Sequence, residues 1–368
     1  MRKVLLVSCD GLGNGGVQAV IMNIVRNLHH EFQFDILLFT SETRYYDHEF
    51  ESYGGRIIRI PKYEGKSRIR QKLDYYIRGR NIYKKTKQAL SDYGPYDAVH
   101  CHDEYESAMI IKAAAETEIP IRITHTHVIS GGSNIIAKTI EKHRKKVIEQ
   151  YSTLMLGCSE EANRSFYLHP DKAIVINNPY DDSKFKPTEN KPNAEKVIRF
   201  VQIGGFYHIK NQVFSVKVIA KLRKAGYDAR LTLIGFQLGG YKELVEKYVE
   251  EHGLREFVTF LPGNADSPKL LSEASYLLMP SLHEGFGIVL IEAQAMGVKC
   301  FASDHIPRST NCGGVEYLPL ETDSWAESIT EDYKKTHGIH HTYNVEPFKM
   351  EKVASAYKAI YAGEKIFS

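Results

Sequence analysis

Short apolar runs alternate with amphipathic helical patterns along the whole chain, and this alternation limits the possible folds more than any other feature. In the first half, the predicted strands are 3–8, 34–39, 96–100, 120–124, 153–157 and 173–176. Apolar residues spaced three and four apart from Val17 to Leu28 predict a helix between the first two strands. Strands that alternate with helices in this way form parallel sheets covered by helices on both faces. We therefore expect an α/β fold with doubly wound parallel sheets.

The second half of the chain repeats the alternation. Its predicted strands are 198–203, 230–235, 257–261, 275–279, 298–302 and 315–318, and its predicted helices lie near 211–224, 240–253, 267–273 and 287–296. Between the halves, residues 185–195 contain two prolines and no apolar periodicity, which is typical of a linker.

These patterns predict two domains, which also suits a length of 368 residues. We assign residues 1–185 to the first domain and 196–345 to the second. The C-terminal segment 346–368 is predicted to be helical and could pack back on the first domain. One face of this helix carries apolar and aromatic residues, namely Val353, Tyr357, Ile360 and Tyr361.

Composition excludes several classes of protein. Hydrophobic residues make up 43% and charged residues 25% of the chain, so disorder is not expected. A net charge of +3 favours neither a nucleic-acid nor a membrane partner overall. The five cysteines are scattered, which argues against a disulfide framework and against a cysteine-bound zinc ion. No apolar run approaches the length of about 18 residues that a membrane helix needs, so we expect a cytoplasmic protein.

A glycine-rich loop follows the first predicted strand. Residues Gly11–Gly16 match G-x-G-x-x-G and open the first helix, where backbone N–H groups can bind an anion. A nicotinamide dinucleotide site would also need an acidic residue about 20 residues further on. Asp35 begins the second strand and Glu42 comes late, so this requirement is poorly met. Another anionic ligand, or a simple tight turn, are the remaining interpretations.

The segment 280–297 is the richest in candidate functional residues. A strand ends at Met279, and a helix begins near Gly287 with amides free to bind a phosphate. Glu284 and Glu292 lie eight residues apart on either side of the helix start. Carboxylates accept hydrogen bonds and sugar hydroxyls donate them, so this pattern indicates a site for a sugar and a phosphate. The alternative is a pair of ordinary surface glutamates.

Two pairs of histidines end neighbouring strands: His100 with His102, and His125 with His127. Each could be a simple core or polar residue. However, both pairs are expected at the carboxyl edge of the sheet, where ligands of such folds bind.

Basic residues are concentrated at 66–87, which contains nine basic residues and one acidic residue, Asp74. Ile69, Leu73, Tyr76 and Ile77 are interleaved at helical spacing. A second basic run is 143–146. A solvated helix face and a surface that binds anionic lipid are both possible interpretations. No motif supports binding to nucleic acid.

The segment EGFGIVLIEAQAMG, at 284–297, resembles the donor-binding signature of retaining glycosyltransferases with the GT-B fold, the family 4 group. Further segments resemble the family in the same order along the chain: 15–18 (GGVQ), 99–102 (VHCH), 156–160 (LGCSE), 175–181 (VINNPYD), 261–263 (LPG) and 303–307 (SDHIP). The similarity spans nearly the whole chain, and its details look closest to the capsule and exopolysaccharide branch.

This resemblance implies two Rossmann-like domains that face each other across a cleft, the first for the acceptor and the second for the donor. It implies transfer of a hexose or N-acetylhexosamine from a nucleoside diphosphate, expected to be UDP, to a hydroxyl of a glycan or lipid-linked acceptor. The implied catalytic residues are His127, then His102, with Glu284 and Lys210. The implied donor-binding residues are Gly15, Gly16, Gly205, Lys210, Gly285, Phe286, Gly287, Ile288, Val289 and Glu292. The implied acceptor residues are Asp103, Glu104 and His125.

The sequence departs from the family at the first strand of the second domain. The family usually has an Arg and a Lys here to neutralise the donor diphosphate; this chain keeps Lys210 but has glycine in place of the Arg, at Gly204–Gly205. His208, Lys217 or Arg308 could substitute. Besides a glycosyltransferase, the missing cation leaves a second hypothesis open: an accessory subunit that binds a nucleotide sugar and catalyses weakly. A nicotinamide oxidoreductase is the third hypothesis. No D-x-D occurs in the chain, so no metal is expected at the diphosphate.

Overall fold

A computed structural model describes residues 1–9, 11–61, 79–102, 105–127, 135–187, 196–237 and 239–364. The chain forms two compact units: unit 1 is Met1–Pro179 with Met350–Ser368, and unit 2 is Tyr180–Lys349. The division lies before the linker expected at 185–195. The backbone N–H of Tyr180 donates to Phe348 O at 3.2 Å, and Phe185 is buried, which ties the start of that segment to unit 2. Residues 188–195 lie outside the described residues.

The sheet of unit 1 is entirely parallel in the described residues. Its strands are β1 (Arg2–Ser8), β2 (Phe32–Leu38), β3 (Arg56–Arg59), β4 (Ala98–Cys101), β5 (Ile121–Thr126), β6 (Leu154–Gly157) and β7 (Ile174–Val175). They lie in the order β3-β2-β1-β4-β5-β6-β7, so the direction of winding reverses between β1 and β4. Sequence patterning missed β3, because two apolar residues between two arginines are too short a signal. The expected doubly wound sheet is confirmed.

Among the described residues of unit 1 before residue 180, the helices are α1 (Gly16–Leu28), α2 (Asp47–Ser52), α3 (Arg80–Tyr93), α4 (Ser107–Glu116), α5 (Ile135–Tyr151) and α6 (Glu160–Phe166). The apolar stripe expected on α1 is buried against the sheet, with Ile21, Ile24 and Leu28 at 2% exposure or less. Burial of such side chains is worth about 1.5–3 kcal/mol each, so this stripe fixes α1 on the sheet.

Unit 2 has a second parallel sheet, in the order β10-β9-β8-β11-β12-β13. Its strands are β8 (Val197–Ile203), β9 (Asp228–Gly235), β10 (Val258–Pro262), β11 (Tyr276–Met279), β12 (Lys299–Ser303) and β13 (Val315–Leu318). Its helices are α7 (Gln212–Lys224), α8 (Tyr241–Glu251), α9 (Ser267–Glu273), α10 (Ile288–Ala295) and α11 (Thr322–Thr336). The winding reverses between β8 and β11, which is where such sheets bind ligands.

The last helix, α12 (Met350–Ala362), belongs to the core of unit 1. The four residues expected on its apolar face are all buried, and the ring of Tyr361 lies 5.5 Å from that of Phe32. The guanidinium of Arg2 donates to Tyr361 O at 3.1 Å. In the part of the chain that the structure describes, no helix is both long and apolar enough to span a bilayer.

Candidate functional site

The loops that follow β8 and β11 are bonded to each other. The N–H of Leu282 donates to Ile209 O at 2.8 Å, and the amide of Asn211 donates to Pro280 O at 3.2 Å. These bonds bring the ammonium of Lys210 onto the carboxylate of Glu284, although the two residues are 74 positions apart. The structure thus joins two of the predicted site residues at the point where the sheet of unit 2 reverses its winding.

The Lys210–Glu284 pair is mostly screened from solvent, with side chains 17% and 12% exposed. Ser281 Oγ donates to the same carboxylate oxygen at 2.7 Å. Removing one partner would leave the other charge largely desolvated, which is costly. A ligand phosphate that takes Lys210 would therefore release Glu284 for hydrogen bonding to a neutral ligand group.

Helix α10 begins at this site without a side-chain cap. Its N-cap, Gly287, has φ +89°, a left-handed conformation that L side chains rarely adopt. The preceding Phe286 is buried and packs 6.0 Å from the ring of Phe348, which anchors the loop. The first amides of α10, at Ile288 and Val289, follow this uncapped glycine at the start of the helix.

Glu292 lies two turns into α10. The described residues offer its carboxyl no hydrogen bond or ion pair. Burial, and then the negative charge of Asp181, raises the pKa of Glu292 to about 8, while Lys184 acts in the opposite direction. A buried carboxyl without a protein partner is a common feature of ligand sites.

The backbone at Gly204–Gly205, where the resemblance leads one to expect an arginine, lies close to the end of β9 and the start of α7. A Cβ on Gly235 would clash with the carbonyl of Gly204, and the amide of Gln212 donates to Gly205 O at 3.0 Å. The proposed substitutes for the missing cation lie against other groups: Lys217 over the ring of Tyr248, Arg308 over Tyr317, and His208 near Tyr241.

The glycine loop of unit 1 leads into α1 with Gly15 as its N-cap and no side-chain cap. A Cβ on Gly15 would clash with Gln18 Oε1, whereas Gly16 has open space around it. Of the two acidic residues considered for a dinucleotide, Asp35 is fully buried and is bonded to Lys3 at 3.1 Å and to the hydroxyl of Tyr96 at 2.9 Å. These contacts weigh against a ribose at Asp35.

The four predicted histidines form one buried cluster at the ends of β4 and β5. The Nε2 atom of His100 lies 3.3 Å from His125 Nδ1, and His102 Nδ1 lies 3.0 Å from His127 Nε2. His100 Nδ1 also contacts the hydroxyl of Tyr361 at 2.7 Å. The other predicted residues of this region, Asp103 and Glu104, lie outside the described residues.

The two histidines expected to contact a sugar differ in availability. Both ring nitrogens of His127 are occupied, Nε2 by His102 and Nδ1 by Asn178 Oδ1 at 3.0 Å. The Nε2 atoms of His102 and His125 are buried and have no hydrogen-bond partner in the described residues. Of the two rings expected to contact a sugar, His102 is therefore the one with a ring nitrogen that has no partner in the described residues.

Burial keeps the cluster uncharged. Desolvation lowers the pKa of His127 to about 4, and desolvation with mutual repulsion lowers the pKa of His100, His102 and His125 well below the usual value. Nitrogen atoms of those last three rings lie within 4.8 Å of one another, close enough to hold a metal ion. The contacts that they make are those of a neutral hydrogen-bonded network.

Sequence reasoning missed Asn178, Ser281 and Tyr361. Asn178 lies inside a segment that resembles the family, and Ser281 precedes Glu284 by three residues, so position in a motif was an available signal. Tyr361 is 261 residues from its partner His100, and no local pattern relates them.

The basic segment 66–87 is described only from residue 79. The residues expected at helical spacing, Ile69, Leu73, Tyr76 and Ile77, lie outside the described residues. Gly79 is left-handed, and α3 starts at Arg80. Arg80 and Lys84 are exposed, while Lys87 pairs with Glu116 at 3.1 Å. In the second basic run, Arg144 is buried.

Several known glycosyltransferases are similar to this chain in sequence. Residues 182–310 match the family model described as "Glycosyl transferases group 1". The chain is 27% identical over 347 residues to a putative glycosyltransferase, EpsF, of Bacillus subtilis strain 168, covering 89% of this chain and 87% of that protein. It is 29% identical over 292 residues to the capsular polysaccharide biosynthesis glycosyltransferase CapH of Staphylococcus aureus, covering 77% and 76%.

Solved structures share the architecture of the whole chain. The crystal structure of Anabaena HepE in complex with UDP-glucose superimposes with a TM-score of 0.78 at 15% identity, covering 99% of this chain and 100% of HepE. The fold expected from the sequence is thus confirmed: this chain has the GT-B fold, and within unit 2 residues 182–310 are similar to the group 1 glycosyltransferases.

Proposed function

We propose that this protein is a retaining glycosyltransferase that transfers a hexose or N-acetylhexosamine from a UDP-sugar donor to a hydroxyl of its acceptor. The observation that carries the proposal is the arrangement of Lys210, Glu284 and the uncapped start of α10, with the unpaired carboxyl of Glu292 two turns deeper. It lies within the segment that matches the family model.

Each group has a role that follows from its chemistry. Lys210 and the amides of Gly287, Ile288 and Val289 stabilise the negative charge of the departing diphosphate. Glu284, released from Lys210, accepts hydrogen bonds from sugar hydroxyls and stabilises positive charge on the sugar. Glu292 binds the ribose hydroxyls. The loop residues Gly205, Gly285 and Phe286 shape the same pocket.

The reaction proceeds on one face of the sugar. The bond from the anomeric carbon to the β-phosphate oxygen breaks as the bond to the acceptor oxygen forms, and the leaving phosphate takes the acceptor proton. Glu284 is held by Lys210 and Ser281, which suits a binding role better than that of a nucleophile. Retention without an enzyme nucleophile is therefore part of the proposal.

Unit 1 carries the remaining predicted residues. Its glycine loop at Gly15 and Gly16 is the predicted binding site for an anionic group of the donor, and its histidine cluster is predicted to contact a sugar. His102, with its free Nε2, takes the place first given to His127, and His125 is the second candidate. Asp103 and Glu104 remain predicted acceptor residues.

We further propose a role in capsule or exopolysaccharide synthesis, on a glycan or lipid-linked acceptor at the inner face of the cell membrane. The support is the similarity to EpsF and CapH and the exposed cations Arg80 and Lys84, which can attract anionic lipid. Catalysis is proposed to need no metal, because Lys210 and the helix amides take the charge that a cation would neutralise.

The test is a thermal-shift panel with UDP, UDP-sugars and NAD on the whole chain. UDP should raise the melting temperature, since a ligand that binds only the folded state stabilises it. Glu292→Ala should abolish this shift, and Glu250→Ala, an exposed glutamate on α8, should preserve it. Stabilisation by NAD and not by UDP would refute the proposal.

A second measurement separates an enzyme from an accessory subunit, the hypothesis that the missing arginine favours. Hydrolysis of the UDP-sugar that stabilises the protein most should be detectable without an acceptor. UDP-sugar binding with no hydrolysis or transfer would support the accessory subunit instead.

A further inference from the structure

The histidine cluster contains a chain of hydrogen bonds whose direction is fixed at one end. Asn178 is buried, and its Oδ1 lies 3.0 Å from His127 Nδ1. An amide oxygen can only accept, so Nδ1 of His127 carries the proton. Because this imidazole is neutral, its Nε2 atom has a lone pair and must accept.

The next bond continues in the same direction. His127 Nε2 lies 3.0 Å from His102 Nδ1, so His102 donates through Nδ1 and keeps its own lone pair on Nε2. That Nε2 atom is buried without a partner in the described residues. An unsatisfied buried acceptor is costly, which indicates that a hydrogen-bond donor binds there when the site is filled.

We propose that Asn178 and His127 are positioning residues that fix the tautomer of His102, so that His102 Nε2 accepts a hydrogen bond from a ligand hydroxyl. A buried acceptor on one ring nitrogen is an established way of setting what the other nitrogen presents. This arrangement disfavours phosphate and carboxylate oxygens at His102 Nε2, because their lone pairs would face the lone pair of that nitrogen. That the hydroxyl belongs to a sugar rests on the proposed function; the tautomer assignment does not.

A second chain runs beside the first, from the hydroxyl of Tyr361 through His100 to His125, and also ends at an unpartnered Nε2. A tyrosine hydroxyl can donate or accept, so its direction is not fixed by Tyr361. Of the two series of hydrogen bonds, the structure therefore assigns a direction to the first, which joins Asn178, His127 and His102.

The experiment reads tautomers directly. Nitrogen-15 NMR on the whole chain with labelled histidine distinguishes a protonated Nδ1 from a protonated Nε2, and His102→Gln and His127→Gln assign the two signals. We expect both wild-type rings to carry the proton on Nδ1. A proton on Nε2 of either ring would overturn the proposal without any variant.

The variants test the cause. Asn178→Leu, which keeps the branching of the side chain but has no acceptor, should shift both rings away from the Nδ1–H form. Asn178→Asp restores an acceptor and should restore that form at pH 8.5. If both rings keep the proton on Nδ1 in the leucine variant, the proposal is overturned. A metal ion bound to His102 Nε2 would give that result, because it would hold the proton of His102 on Nδ1.

Kinetics provide the readout that depends on the proposed function. Asn178→Leu should weaken the substrate hydroxyl contact and lower kcat/KM about tenfold, the typical effect of one hydrogen bond, with partial recovery in Asn178→Asp. An unchanged kcat/KM with altered tautomers would overturn the hydroxyl contact. If no donor is turned over at all, the proposed function fails while the NMR result still decides the tautomer.

Discussion

Replacing Glu292 with glutamine should stabilise the protein, and more so at high pH. Glutamine has nearly the same shape but no charge to desolvate. In the folded protein, burial and the charge of Asp181 raise the pKa of Glu292 from 4.5 to about 8. The unfolded chain releases this proton near the ordinary value, so it binds fewer protons than the folded protein between the two pH values. The wild-type protein therefore loses stability as pH rises from about 4.5 to about 8, and the variant does not.

The size of the effect follows from the pKa shift. One pKa unit corresponds to about 1.4 kcal/mol, so the full shift sets an upper limit of about 5 kcal/mol. The residue retains some exposure, which lets solvent relieve part of this cost, and we expect about 2–3 kcal/mol. For a unit of this size, that is a gain in Tm of about 5–10 °C at pH 8.5, with much less at pH 5.

Differential scanning calorimetry is the appropriate assay, because two units can unfold in separate transitions. Glu250→Gln, on the exposed face of α8, is the matched control and should show the same gain or loss at both pH values. An equal Tm for Glu292→Gln and wild type at pH 8.5, or an equal gain at pH 5 and pH 8.5, would refute the reasoning that burial holds this carboxyl protonated.

Three further predictions concern catalysis and localisation. Lys210→Ala should lower kcat by about 100-fold, as does the loss of one group that stabilises developing charge; initial rates within about threefold of wild type would show that another cation neutralises the diphosphate. Activity should survive excess chelator, and a complete loss with EDTA that manganese restores would contradict this. Replacing Arg80 and Lys84 together with Glu should weaken sedimentation with anionic liposomes at low salt and leave UDP stabilisation intact, whereas equal sedimentation with neutral liposomes would contradict a charge-based surface.

The architecture could be predicted from the sequence because its signal is local. A helix with one buried face has apolar residues at regular spacing, as in the stripe of α1, and a strand buried on both faces is a short apolar run. Strand β3 escaped detection because its two isoleucines are flanked by Arg56 and Arg59. The motif of the candidate site was equally visible, since Glu284, Gly287 and Glu292 lie within nine residues of one another.

The sequence by itself determined the two parallel sheets, the helix that starts at Gly287 and the residue types available for a sugar and a phosphate. Only the tertiary structure decided which of those residues are already engaged. Lys210 is bonded to Glu284 because two loops meet at the reversal of the sheet of unit 2. Both ring nitrogens of His127 are occupied, and Nε2 of His102 has no partner in the described residues, because β4 and β5 are neighbours and Asn178 bonds to His127. Such pairings depend on strand order, which periodicity along the chain does not encode, because each strand's pattern records only its own burial.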